Sequence, residues 1–223
     1  MSIEVADTSA LATSSETAAA IAYERIQRMI VTLELPPGTV LTESALGARI
    51  GLGRTPIREA LHRLAGERLV TIFPRRGLVV AHLDFPDIQQ LFETRILVEG
   101  ANAKRAAQRG SASDDVEISR LSEAVQAAEG EGSFAAFLDA DRMLHLGVAR
   151  VARNTFTEEV TRRLLTLSAW LWHAHMARDG IEPSDYASHD QIVAAITHRD
   201  PLAAEQAMVD HIERSRHLLR IAL

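Results

Sequence analysis

The spacing of apolar residues divides the 223-residue chain near Phe85. Before that point helical and alternating patterns follow one another in short segments, and after it every apolar pattern has the helical period. Ile21, Ile26, Met29, Ile30 and Leu33 predict a helix that starts at Ala18 and stops at Leu-Pro-Pro-Gly, 35–38, because proline cannot continue the hydrogen-bond ladder. Residues 1–17, rich in Ser, Thr and Ala with little periodicity, read as a disordered lead-in. In LTESALGARIGLGRTPIREALHRLAGERLV, 41–70, Thr42 or Ser44 can cap a short helix that runs through Ile50, and Gly51 and Gly53 make a turn. A second helix then opens near Arg54, Thr55 and Pro56, a good place for proline because its missing N–H has no partner there anyway. LVTIFPRRGLVVAHL, 69–83, alternates on both sides of Pro-Arg-Arg-Gly and predicts a small hairpin. A helix-turn-helix followed by a wing makes residues 18–83 a winged helix-turn-helix domain.

Helical patterns then run over 86–109, 114–129, 133–152, 155–179, 184–198 and 200–221, separated by turn signals. At the last junction Asp200 caps and Pro201 takes the first helical position. The expected fold is mainly α, with residues 84–223 forming an all-α antiparallel six-helix bundle. In the segment DADRMLHLGVA, 139–149, Met143, Leu144, Leu146 and Val148 are expected in the core. Asp141 and His145, four residues apart, stack on one helix face and can grip one object or simply pair with each other.

Charge separates the same two regions. The net charge is -6, yet residues 18–82 carry nine arginines against five glutamates, and residues 83–223 carry an excess of acids. A basic module joined to an acidic one is the asymmetry expected when only the first approaches phosphates. The absence of cysteine excludes disulfides and thiolate metal sites, so a metal would need His and carboxylate ligands. No apolar run reaches the ~18 residues of a membrane span and the N-terminus lacks the order of a secretory signal, so a cytoplasmic protein without a membrane partner is expected.

With LPPGTVLTESALGARIGL preceding RTPIREALHRLAGERLV, the chain resembles the GntR family of bacterial transcription regulators. Its helical remainder, with Asp-x3-His and two later histidines, resembles the FadR/FCD subfamily, and six helices place it in the VanR-like group. The resemblance implies double-stranded operator DNA as a partner, with Arg54, Thr55 and Arg58 as reading residues and Gly77 in the wing. An arginine at the start of a recognition helix can fork onto guanine O6 and N7, although Arg58 could instead pair with a nearby glutamate. Where the family often has arginine in the first helix this chain has Ser44, and Arg49 is the candidate to replace that contact.

The resemblance also implies a divalent metal held by Asp141, His145, His189 and His211, a donor set suited to zinc, nickel or manganese. His62, His82, His173, His175, His198 and His217 show no comparable pattern, except that His175 lies near Trp172 and could line a pocket. Arg95 and Asn154 fall on the family's effector-binding positions, with a pair to Glu99 and a helix cap as their plainer roles. The function expected is a non-enzymatic, metabolite-responsive repressor. It would bind as a homodimer and answer to a small carboxylate. Alternatives are a metal-dependent hydrolase on the Asp/His site, or a regulator whose metal is purely structural.

Overall fold

A computed structural model of the protein describes residues 8–75, 77–179 and 189–221. The chain is mostly helical and divides into two compact units, Met1–His82 and Leu83–Leu223.

The first unit contains α1 (Thr8–Val31), β1 (Val40–Leu41), α2 (Glu43–Ile50), α3 (Arg54–Gly66), β2 (Val70–Phe73) and β3 (Gly77–Val80). Of the expected disordered lead-in, residues 1–7 lie outside the described residues, and 8–17 form the first turns of α1. An alanine-containing stretch can be helical without an apolar stripe, which is why periodicity places the helix start only at Ala18. Ile26 and Ile30 of α1 are fully buried, as are Ile57, Leu61 and Leu64 of α3. Polar contacts lock the same pair of helices: the Tyr23 hydroxyl donates to Glu67 at 2.6 Å, and the Arg63 guanidinium sits 3.8 Å over the Tyr23 ring. Thr42 caps α2 through the Ala45 N–H, and α2 ends at Gly51, whose φ of 78° is the left-handed conformation that glycine adopts without strain.

The wing is wider than the sequence predicts. β3 pairs antiparallel with β2 and, on its other edge, with β1, giving the order β1-β3-β2. Two residues of strand leave no readable alternation, so β1 exists only through its tertiary partner.

The second unit consists of α4 (Phe85–Arg109), α5 (Ala112–Gly130), α6 (Phe134–Val151), α7 (Thr155–Asp179), α8 (Asp190–Thr197) and α9 (Pro201–Ile221). Asp84 and Ser111 each close a capping box, Ser133 caps α6, and Asp200 caps α9. These caps begin α4, α5, α6 and α9 sharply, and α4 packs against α6, α7, α8 and α9. The expected helix over 184–198 is seen from Asp190; residues 184–188 lie outside the described residues. Phe92, Ile118, Leu144, Ile192, Ile196, Met208 and Ile212 form the centre of the core.

Within α6, Leu144, Leu146 and Val148 are buried as expected, but Met143 is 42% exposed. From Leu144 to Ala149 the helix is enclosed on all sides, and Met143 lies just outside that enclosed stretch.

Candidate functional site

The recognition helix α3 presents Arg54, Thr55 and Arg58 on its exposed side, while Ile57, Ala60 and Leu61 turn into the core. Gly53 precedes the helix and supplies no side-chain cap, so the first-turn N–H groups remain free of a capping side chain. Exposed arginines beside such a helix start suit a polyanion. Arg58 forms no ion pair with a glutamate among the described residues, and neither does Arg54. Arg49 differs, because it is ion-paired with Glu34. Gly77 opens β3 at a φ of 93° with open space around it, and thereby closes the turn of the wing.

In the second unit, Asp141 and His145 on α6, His189 at the start of α8 and His211 on α9 converge, with one ligand atom from each lying within 4.8 Å of the others. Asp141 Oδ1 is 2.9 Å from His189 Nε2 and 3.7 Å from His145 Nε2. His145 Nε2 is 3.3 Å from His211 Nε2. Ligands bound at ~2.0–2.1 Å around one zinc-like ion stand roughly 3.0–3.4 Å apart, so the 2.9 and 3.3 Å separations lie close to those of a common centre and the 3.7 Å one is slightly wider. All three imidazoles are 2–4% exposed. His211 Nδ1 and His189 Nε2 are buried without a hydrogen-bond partner, the 2.9 Å approach to Asp141 being out of line for one. The unsatisfied His189 Nε2 faces the Asp141 carboxylate, and a cation between them supplies the missing interaction. The residues present therefore fit a divalent ion.

The electrostatics agree. Burial pushes the Asp141 carboxyl up, but His145, His189 and His211 around it outweigh this and hold it well below its usual range. Burial opposes charge on His145, yet Glu99 and Asp141 overcome burial and raise its pKa. His211, buried and facing two other imidazoles, is pushed well below 6.5. Opposite shifts on neighbouring rings are what a site competent for one positive charge, but not two, produces.

Arg95 lies beside this cluster and is 3% exposed. Its Nε donates to Glu99 Oε1 at 2.6 Å and its Nη1 donates to Ser168 Oγ at 2.9 Å. The i, i+4 pair with Glu99 thus exists, but as part of a buried network: Glu99 Oε2 is 2.5 Å from His145 Nδ1. Burial raises the Glu99 pKa, and Arg95 and His145 together overcome this and hold it at about 2. Asn154 accepts hydrogen bonds from the backbone N–H groups of Phe156 and Thr157, the geometry of a cap on α7. His175 is buried with its ring edge-on to Trp172, at 5.9 Å between centroids. Sequence reasoning missed Ser168 altogether and saw Glu99 only as a partner of Arg95. It also missed the buried pair in which Asn102 donates to Thr161 at 3.0 Å. These contacts join residues 46 to 73 positions apart and leave no local signal.

Among the described residues no helix is long and apolar enough to cross a membrane. Residues 18–80 match the description "Bacterial regulatory proteins, gntR family", and residues 90–214 match the FCD domain. Over 200 residues the chain is 26% identical to the HTH-type transcriptional repressor RspR of Escherichia coli, covering 89% of this chain and 87% of that protein. It is 29% identical over 199 residues to an HTH-type transcriptional regulator in an unstable DNA locus of Streptomyces ambofaciens, covering 85% and 80%. A third relative, an HTH-type regulator in the TAR-I ttuE-ttuC' intergenic region of Agrobacterium vitis, is 38% identical over 86 residues, 39% of this chain and 50% of that protein. The solved structure of E. coli McbR/YncC has the same fold, with a TM-score of 0.80 at 18% identity over 92% of this chain and 97% of that one.

Proposed function

Because the chain belongs to the GntR family of bacterial regulatory proteins and carries an FCD domain, it is a DNA-binding transcription regulator and not an enzyme, and we propose that it is a metal-dependent, acid-responsive repressor. Its DNA-binding unit implies double-stranded DNA as partner, and its FCD domain implies a small-molecule effector. The single observation that carries the metal reading is the buried convergence of Asp141, His145, His189 and His211.

Arg54 and Arg58 read base edges, and Thr55 with the α3 N–H groups holds phosphate. Gly77 lets the wing approach the backbone. Arg49 adds a contact after leaving Glu34. In the second unit the four clustered side chains hold zinc, nickel or manganese, and Arg95 supplies a guanidinium to a small carboxylate metabolite. A bound ion with open coordination positions offers a Lewis-acidic seat to the carboxylate. Asn154 shapes the start of α7 as a cap.

The protein acts in the cytoplasm as a homodimer, since one recognition helix reads only a few base pairs and two half-sites supply the rest of the specificity. Leu97 on α4, 73% exposed, with Phe156 and Val160 on α7, 82% and 40% exposed, gives two adjoining helices apolar surface suited to a second copy. The sign of regulation is supported by relatives named as repressors, RspR and GlaR of E. coli. A hydrolytic role for the site is not retained: Glu99, the one buried carboxylate beside the cluster among the described residues, is engaged by Arg95 and His145 and is not available as a general base.

Native mass spectrometry of the full chain purified without added ligand tests the reading. One divalent ion per chain in a dimer, followed by release of selected operator DNA on titration with small carboxylic acids, is the expected result. A metal-free dimer, or operator binding indifferent to every acid, counts against it. If the metal is present and the acids still have no effect, the metal is structural.

A further inference from the structure

Among the described residues, Glu99 is the one that touches both halves of the buried network. It sits on α4, 2% exposed, with each carboxylate oxygen given to a different partner. Oε1 accepts from Arg95 Nε at 2.6 Å, and Oε2 faces His145 Nδ1 at 2.5 Å. Ser168 on α7 holds the far side of the same guanidinium at 2.9 Å. A line of contacts thus runs from α7 through α4 to α6 and ends on a ring whose other nitrogen, Nε2, points at His211 and Asp141.

Neutralising Arg95 does not require this arrangement. An i, i+4 ion pair forms with one oxygen and would leave the second free. Instead the second oxygen is placed on a helix 46 residues away, against the one His145 nitrogen that does not face the cluster. A carboxylate at that position fixes the proton on Nδ1, leaves the Nε2 lone pair for a metal, and holds the plane of the ring.

Resting on the metal reading given above, we propose that Glu99 is the positioning residue of the metal centre. It sets the tautomer and orientation of His145, and Arg95 and Ser168 keep it in place. The same carboxylate then joins the metal ligand to the guanidinium that receives the acid. Arg95 makes no other hydrogen bond among the described residues, so an anion that draws it away loosens the support of His145.

Zinc affinity of the full-length protein, measured by competition with a chromophoric chelator, tests this in four variants. Glu99→Gln and Glu99→Leu are expected to weaken zinc binding by about 10- to 100-fold, the usual loss for a partner of a metal-bound histidine. Arg95→Met leaves Oε2 on His145 but removes the anchor of Glu99, and is expected to weaken zinc binding measurably but by less than either Glu99 variant. The double variant Arg95→Met, Glu99→Leu removes the buried pair without stranding a charge, which keeps the fold testable, and zinc should still bind weakly. Long-range nitrogen-proton spectra of the metal-free wild type at alkaline pH, where the ring is neutral, should show His145 protonated at Nδ1, a preference lost in Glu99→Leu. Wild-type zinc affinity in both Glu99 variants, recovery of affinity in the double variant, or a His145 protonated at Nε2 would each overturn the proposal. A wild type that binds neither zinc, nickel nor manganese overturns the metal reading itself, and is told apart by that result alone.

Discussion

Arg54 and Arg58 in the first unit stand exposed and without an ionic partner among the described residues, whereas Arg95, Glu99 and Ser168 beside His145 in the second unit are buried and hydrogen-bonded in one network. The contrast suits the two ligands proposed above, DNA and a metal ion. A phosphate backbone is approached from solvent and answers to charge that is free to meet it. A small ion inside a helical core has to be met by groups already in place, since rearranging a packed interior is costly. Function and stability are therefore separable in the first unit and joined in the second.

The sharpest way to break this contrast is the double substitution Arg54→Ala, Arg58→Ala. Each bidentate base contact contributes about 1–3 kcal/mol, so specific DNA affinity should fall by roughly 10²-fold or more. Exposed substitutions of this kind usually change stability by no more than about 0.5 kcal/mol, so the melting temperature should hold. Fluorescence anisotropy on DNA selected with the wild type, beside a melting curve, reads both. A large fall in melting temperature would show that these arginines support the fold.

Next in size is the loss of the metal. An ion present at 100 times its dissociation constant stabilises the folded state by about 2.7 kcal/mol, so a chelator should lower the melting temperature of the wild type. His211→Ala should bind metal poorly and melt at one temperature with or without the chelator. If His211→Ala keeps both the ion and the chelator response, the four residues do not act together.

Acidity separates the two units as well. His145 must lose its proton to bind a metal, and Glu99 and Asp141 raise its pKa above 6.5. Protons therefore compete with the ion from above the ordinary histidine range, and affinity should fall as pH is lowered through that range. The DNA contacts proposed for Arg54 and Arg58 involve no metal for protons to displace, so DNA binding is expected to carry no matching pH dependence. Chelator competition at several pH values is the measurement, and a metal affinity flat between pH 8 and pH 6 would contradict the assignment of His145 as a ligand.

The same division governs what the sequence reveals. Helix starts were legible because their causes are local: Asp200 and Pro201 announce α9, and Thr42 announces α2. The strand β1 was not, since Val40 and Leu41 are a strand only by pairing with Val79 and Leu78. The Asp/His cluster was legible as a set of four through family register, and Asp141 with His145 through helical spacing. The support behind them was not. Glu99 reads locally as a partner for Arg95, and only the approach of α6 to α4 gives its second oxygen to His145. Local rules report what a residue does within its own helix, and a buried network is made between helices.

Asn154 provides the smallest test of that rule, because helix cap and effector contact respond differently to the same substitution. As a cap it accepts from the N–H groups of Phe156 and Thr157 at 3.2 and 3.4 Å, so Asn154→Ala should cost about 1 kcal/mol of stability. Asn154→Asp preserves the acceptor and places a negative charge at a helix start, where it is favourable, so stability should return. An effector contact through the side-chain amide would behave differently, since a carboxylate ligand is repelled by aspartate. Melting curves and acid titrations of the operator complex distinguish the two. Recovery of both stability and acid response in Asn154→Asp assigns Asn154 to the fold, and recovery of stability alone would return it to the effector site.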